Sequence, residues 1–399
     1  MDSSFLTVED FQSAIQVTHI PEKCKFWMVR ANSGVFFDEF VEKNYVAIGW
    51  NAITQKRLDT DTEKQLQELI AENYPNISRP ITPVNKCRRF IEGMDIGDIV
   101  MLVGNQKICF AVVGEYYEEN DPQLTVTREK EVFLQIQEKM SEYLTVKCPY
   151  VKRRHITLIK TLEEKNLNPN LAKALSNHHS LSSLEMYSKY ILDTCFDLYS
   201  YRDNINLVFR VTTDERISGR AFSRFSFYTN EAFCLSAEHE ISITTSLNSP
   251  GDYVLIFADA FEFVQEHWIS FIVVFFLLFG GRFEIKGCQL EFPSVLSAIK
   301  AAINHKFNTQ MKKLELEEKK AKVESLTIEN ERKKIELQKE KDLLVVEKLS
   351  QSQYVQELPR ASKALKLRSY ELNSPNGIVF PVPPKKETYQ KDENGDKQR

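Results

Sequence analysis

From Ala301 to Gln351 the chain contains neither glycine nor proline, and its acidic and basic side chains are nearly balanced. Continuous helix is the regular structure that such a segment favours. Leu316, Val323, Asn330, Leu337 and Leu344 recur every seven residues. Leu314, Ala321, Ile328 and Ile335 form a second seven-residue line, two positions away. Positions two apart lie about 200° apart on a helix, so the lines do not merge into one seam. The pattern predicts a long charged helix with two apolar edges, compatible with an antiparallel or multi-helix stalk and with a parallel dimer. Asn330, in an otherwise apolar line, is the type of residue that fixes register. A solvated single helix held by pairs such as Glu315–Lys319 and Glu329–Lys333 is the simpler alternative. Self-association through residues 301–352 is the expectation.

Upstream, the pattern changes to short apolar runs separated by turns. The chain reads as α+β, divided into a polar leader (1–22), a first folded unit (23–185), a second, mixed α/β unit (186–300), the charged helix (301–352) and a mostly disordered tail (353–399). In the first unit, Phe26–Arg30 and Tyr45–Trp50 read as strands, and 98–103 and 108–114 as a hairpin across Gly104-Asn105. A helical insert is expected over Arg128–Glu142. In the second unit the most apolar run of the chain, Ile269–Phe279, reads as a buried central helix.

Hydrophobic residues make up 42% and aromatic residues 11% of the chain, enough for folded cores. The net charge of −4 requires any nucleic-acid surface to be a local patch. The seven cysteines are scattered, with no Cys-x-x-Cys and no Cys/His pair at metal spacing, which fits reduced thiols in a cytoplasmic protein. The first residues lack the basic and apolar regions of a signal peptide. No P-loop, GxSxG or HExxH occurs, and His178-His179 is badly spaced for a metal, so neither cofactor nor metal is expected.

Two of the three tryptophans, Trp27 and Trp50, sit in the first two strand-like runs. Large rings so placed can fill a core or wall a pocket that stacks on a planar ligand. Trp27-x-Val29-Arg30-Ala31, Phe40, Val46-Ala47-Ile48-Gly49-Trp50, Phe90 with Met94-x-Ile96-Gly97-Asp98-Ile99-Val100, and Phe110-Ala111-Val112-Val113-Gly114-Glu115-Tyr116 succeed one another in order. Lys152-Arg153-Arg154, Leu158-Ile159-Lys160, Leu171 and Ala174-Leu175-Ser176 come after them. This order resembles the PUA-like, EVE-type domain found at the N-termini of some Mrr-type restriction proteins, over about residues 24–185. The resemblance implies a small β-barrel with a base-reading pocket, in which Trp27, Gly49, Trp50 and Asn51 lie at or near the pocket. It also implies DNA as partner, and a role as a modified-base sensor in prokaryotic anti-phage defence or restriction.

A base reader also needs phosphate contacts. Lys86, Arg88 and Arg89 form one basic cluster; Lys147 and Lys152, Arg153, Arg154 and His155 form another. Solvated charged faces are the plain alternative. Mrr-type proteins pair the reader with an Asp…Glu-x-Lys nuclease, and this chain has a formal match in Asp259 (or Asp252), Glu284 and Lys286. An apolar run intervenes where paired catalytic strands belong, so the reading is of a reader without its nuclease; a divergent metal-dependent nuclease is one alternative. The other is a membrane-perturbing effector acting through 269–279, although that run is shorter than the roughly 20 residues a spanning helix needs.

Overall fold

The structure is a computed structural model that describes residues 6–32, 34–138, 146–211, 217–233, 241–246, 251–258, 266–279, 283–285, 288–290, 294–320 and 325–367. Its strands are β1 (Thr18–His19), β2 (Phe26–Arg30), β3 (Tyr45–Ile48), β4 (Ile99–Val103), β5 (Lys107–Glu118), β6 (Lys152–Glu163), β7 (Leu181–Ser183), β8 (Leu198–Tyr201), β9 (Asn204–Val211), β10 (Ile241–Ser246), β11 (Gly251–Ala258), β12 (Phe283–Ile285) and β13 (Cys288–Leu290). The helices are α1 (Val8–Ala14), α2 (Phe37–Glu42), α3 (Gln55–Thr60), α4 (Glu63–Asn73), α5 (Ile81–Arg88), α6 (Val126–Glu138), α7 (Pro169–Ala172), α8 (Ser188–Cys195), α9 (Gly219–Phe233), α10 (Trp268–Phe279), α11 (Ser294–Lys320), α12 (Ser325–Leu349) and α13 (Ser352–Ala364). The chain is α+β, with a C-terminal helical region.

A six-stranded sheet has the order β3-β6-β5-β4-β2-β7, and a five-stranded sheet the order β1-β8-β9-β11-β10. β4, Phe26–Val29 of β2 and Ile108–Val113 of β5 are apolar at every position because both faces of the sheet are covered there. Along β2, β4 and β5, Phe26, Met28, Ile99, Met101, Ile108 and Phe110 enter one core. The alternate residues Trp27, Val29, Val100, Leu102, Cys109 and Ala111 enter another. This is the two-residue period of an extended chain. The first of these cores also contains Ile191, Leu192 and Cys195 of α8 and Tyr199, Val208 and Val254 of the second sheet. The second contains apolar residues of α2, α4, α5 and α6. The long strands β5 and β6 shift register between Phe110 and Ala111 and between Val113 and Tyr116, and such irregularities bend and twist a sheet.

The outer face of the second sheet packs on a third core built from α1 and α9–α13. Segments near both ends pack on this core, the first through a helix where the sequence pattern reads one, over 8–17, and the last through a helix that the sequence reading does not mark. The segment read as a leader holds α1, whose Phe11 ring lies 5.6 Å from that of Trp268, and β1, which pairs parallel with β8. The segment read as mostly disordered from 353 begins with α13, where Tyr354, Leu358, Ala361 and Leu365 are buried. Their i, i+4, i+7, i+11 spacing is an apolar helix face. The Pro- and Lys-rich composition beyond α13 obscures that face in the sequence.

The predicted continuous charged helix is instead two helices, α11 and α12, in contact along their lengths and joined through residues 321–324. Lys306, midway along α11, acts electrostatically on Asp342 in the second half of α12, as an antiparallel hairpin requires. The two heptad lines therefore part company. Leu314 is buried and Ile328 and Ile335 are partly buried, whereas Leu316, Asn330, Leu337 and Leu344 are exposed.

The apolar helix α10 is buried as expected: residues Trp268 to Leu278 are at most 5% exposed. Among the described residues no helix is long and apolar enough to cross a membrane.

Candidate functional site

The first unit's polar chemistry gathers at the turn after β3. Trp50 has φ +63°, a left-handed conformation that is strained for a bulky L residue and needs its surroundings to hold it. Two charged side chains do so. Glu129, in the first turn of α6, accepts from the backbone N–H of Trp50 (2.5 Å) and of Asn51 (2.9 Å). Lys152, at the start of β6 and fully buried, donates to the carbonyls of Trp50 (2.7 Å) and Ile53 (2.8 Å). One turn is thus held by a carboxylate on its N–H side and an ammonium on its C=O side. Each charge satisfies backbone groups that would otherwise be orphaned.

Gly49 is required by this close approach, since a Cβ there would stand 2.6 Å from Glu129 Oε1. Asn51 is buried, donating from Nδ2 to the Pro149 carbonyl (2.8 Å) and accepting at Oδ1 from the Val151 N–H (3.0 Å). Its role is to staple the segment before β6 to the turn. Tyr74 donates its hydroxyl to Glu129 Oε2 at 2.6 Å; burial, then the adjacent carboxylate, holds its pKa far above the ordinary range.

At the outer side of this turn the Trp50 ring is partly buried against the core. The Lys86 ammonium, from α5, lies 5.4 Å from its centroid, within cation–π range. Partial burial draws Lys86 below the usual lysine range. Lys130, next to Glu129, lies 5.7 Å from the Tyr74 centroid. Two aromatic–cation pairs therefore flank one buried carboxylate. Arg88 is partly exposed and Arg89 exposed.

The other residues singled out from sequence are placed differently. Trp27 is 7% exposed, and its Nε1 donates to Asp98 Oδ2 (2.8 Å). Asp98 also accepts from the N–H groups of Lys25 and Asp95, locking the Gly97-Asp98 turn. Trp27 is thus part of the core, and β2 and β3 are not neighbours: β4, β5 and β6 lie between them. Of the basic run on β6, Lys152, Arg153 and Arg154 are buried, whereas His155 is exposed. Arg153 is 9% exposed, packs 4.5 Å from the Tyr45 ring centroid and pairs with Glu119 at 2.7 Å. Arg154 is 4% exposed and donates to the carbonyls of Phe90 (2.8 Å), Ile91 (2.6 Å) and Gly114 (3.1 Å).

The first two of those carbonyls lie in Arg89–Gly93, a π-helical turn directly after α5. An arginine supplying donors to helix-terminal carbonyls is a structural role. Arg154→Met is expected to destabilise the protein by about 3 kcal/mol or more, because it leaves buried carbonyls without donors. Urea unfolding checks this; an unchanged midpoint would contradict the structural assignment.

Beside this turn lies an open concavity of about 520 Å³ lined by Ile91, Glu92, Met94, Asp95, Ile96, Glu115, Tyr116 and Arg154. Its three carboxylates disfavour a phosphate there. None of the four residues expected at a base pocket lines it.

For the nuclease alternative, Asp259 and Lys286 lie outside the described residues. Glu284 sits on β12, in a two-stranded ribbon with β13 that is separate from the sheet containing β11 and Asp252. Among the described residues no cluster of His, Cys, Asp and Glu is placed to hold a metal ion. Cys24, Cys87, Cys109, Cys148 and Cys195 are buried free thiols. Burial pushes Cys87 up to about 11 and Cys24, Cys148 and Cys195 up to about 12.

Sequence reasoning missed Glu129. An acidic residue in the first turn of a helix already has an ordinary explanation in the helix dipole, so nothing local marked it. Lys152 stands out in the sequence for its charge, but charge alone does not reveal which way a strand residue faces.

Residues 27–147 match a family described as a domain of unknown function, DUF8426. The match covers less than half of the chain. No curated protein and no solved structure matches it.

Proposed function

We propose that the first unit is a PUA-like reader of nucleic acid, with Trp50 as its stacking ring. The observation that carries this reading is the Trp50 turn, held in a strained conformation by the buried Glu129 and Lys152, with its ring under the Lys86 ammonium. A ring fixed in this way can stack on an unpaired or flipped base with little ordering on binding. Lys86, Arg88 and Arg89 then supply the phosphate contacts, without help from the buried Lys152, Arg153 and Arg154. The protein would act as a sensor of modified DNA in a defence or restriction setting, with the second unit and the helical region as output.

Of the two alternatives, a membrane-perturbing role would require α10 to leave the core in which it is buried, and a nuclease role has no assembled metal site among the described residues. Neither gains a specific observation.

Fluorescence anisotropy with labelled single-stranded and duplex oligonucleotides carrying unmodified, methylated, hydroxymethylated or glucosylated cytosine tests the proposal. Preference for one form is expected. Trp50→Ala should weaken that binding roughly five- to a hundredfold, the worth of one base–aromatic stack. Equal, weak binding to every oligonucleotide would remove the reader from the account.

A further inference from the structure

We propose that the outer face of α12 docks a second copy of this chain, in parallel and in register. The hairpin with α11 uses only one of the two apolar edges of α12, the edge that carries Ile328 and Ile335. Leu337 and Leu344 lie about 200° around the helix from that edge. They are 54% and 64% exposed, with Asn330 exposed one heptad before them. Leu316, which continues the same line in sequence, sits on α11 and is not part of this face. Two leucines and an asparagine at seven-residue spacing form a seam that matches itself, and an Asn in such a position pairs with its own copy when two helices run parallel.

The charges beside the seam select both the partner and its direction. On one flank lie Lys334 and Lys341, and on the other Glu336 and Glu340, all exposed; Lys333, also on the acidic flank, is paired with Glu329 of its own helix at 2.8 Å. When two copies of the helix pack in parallel, the basic flank of each meets the acidic flank of the other. An antiparallel arrangement brings lysine against lysine and glutamate against glutamate, which is unfavourable. A second copy of α12 therefore provides the complementary surface for this face. The hairpin stays intact in the dimer, because the face it uses is the opposite one.

In a parallel pair Leu337 meets Leu337 of the second copy. Leu337→Cys is therefore expected to form a disulfide-linked dimer under mild oxidation, beyond any formed by the unsubstituted protein. Ile335→Cys, facing α11, should not. Sedimentation velocity should show a concentration-dependent dimer that is lost in the Leu337→Asp/Leu344→Asp protein. Both positions are exposed, so thermal unfolding measured at a concentration where the unsubstituted protein is monomeric should be unchanged. Lys341→Glu should weaken the dimer roughly fivefold, and Glu340→Lys added to it should restore affinity. A protein that remains monomeric throughout the micromolar range overturns the proposal. So does a dimer that Leu337→Cys fails to cross-link, since its interface must then lie elsewhere or run antiparallel.

Discussion

Lys152→Met is expected to lower stability by about 3–5 kcal/mol, the range seen when one charge is removed from a buried, mutually dependent set. Methionine nearly matches the volume of lysine, so the loss is not one of packing. It arises because the buried carbonyls of Trp50 and Ile53 lose their donor, which leaves the strained turn held only from its N–H side by Glu129. The midpoint of urea unfolding should fall accordingly. Adding Glu129→Gln should lower stability further, since an amide NH2 cannot accept from the backbone N–H groups and the Tyr74 hydroxyl as the carboxylate does. If Lys152→Met unfolds like the unsubstituted protein, the turn is not held in the way described.

Phe271→Ala should have an effect of similar size in the other half of the molecule, about 3–5 kcal/mol for a fully buried phenylalanine. Its ring lies 4.8 Å from that of Phe233 on α9, 5.8 Å from Phe257 on β11 and 6.1 Å from Phe275 one turn along α10. Removing it opens a cavity where α9, the sheet and α10 meet, in a close-packed region that relaxes only partially. The prediction also separates two views of α10. A core helix gives a large loss of stability; a helix that spends its time on a lipid surface gives little. Thermal unfolding monitored by circular dichroism distinguishes them.

The strands and helices of the first unit are readable from sequence because their signals are local. Alternation, the Gly104-Asn105 hairpin and the helical insert containing Val132 and Ile136 all come from spacing. Partnership between distant residues is less readable. Glu129 meets Trp50, and Arg154 meets Phe90 and Ile91, only after the sheet has formed. Trp27 and Asp98, both in the ordered run of motifs through the first unit, bond each other, so their presence in it reports a structural lock rather than a pocket. In the C-terminal region periodicity correctly marks two apolar edges. It does not show that α11 and α12 are two antiparallel helices rather than one, because neither glycine nor proline falls between them. The start of the tail carries a helix that the sequence reading does not mark, because the single amphipathic face from Tyr354 to Leu365 is diluted by the Pro- and Lys-rich composition beyond it; residues 368–399 lie outside the described residues.

The central claim is that Trp50 is a reading surface while the other indoles are structural. Trp27 and Trp268 are 7% and 3% exposed, whereas Trp50 is only partly buried, so Trp50 is the ring that a ligand can reach. Tryptophan emission recorded during titration with the preferred oligonucleotide tests this directly. Saturable quenching is predicted, as a base stacks on the ring, and it should vanish in Trp50→Phe. Binding without any change in emission, or quenching that persists undiminished in Trp50→Phe, would contradict the account.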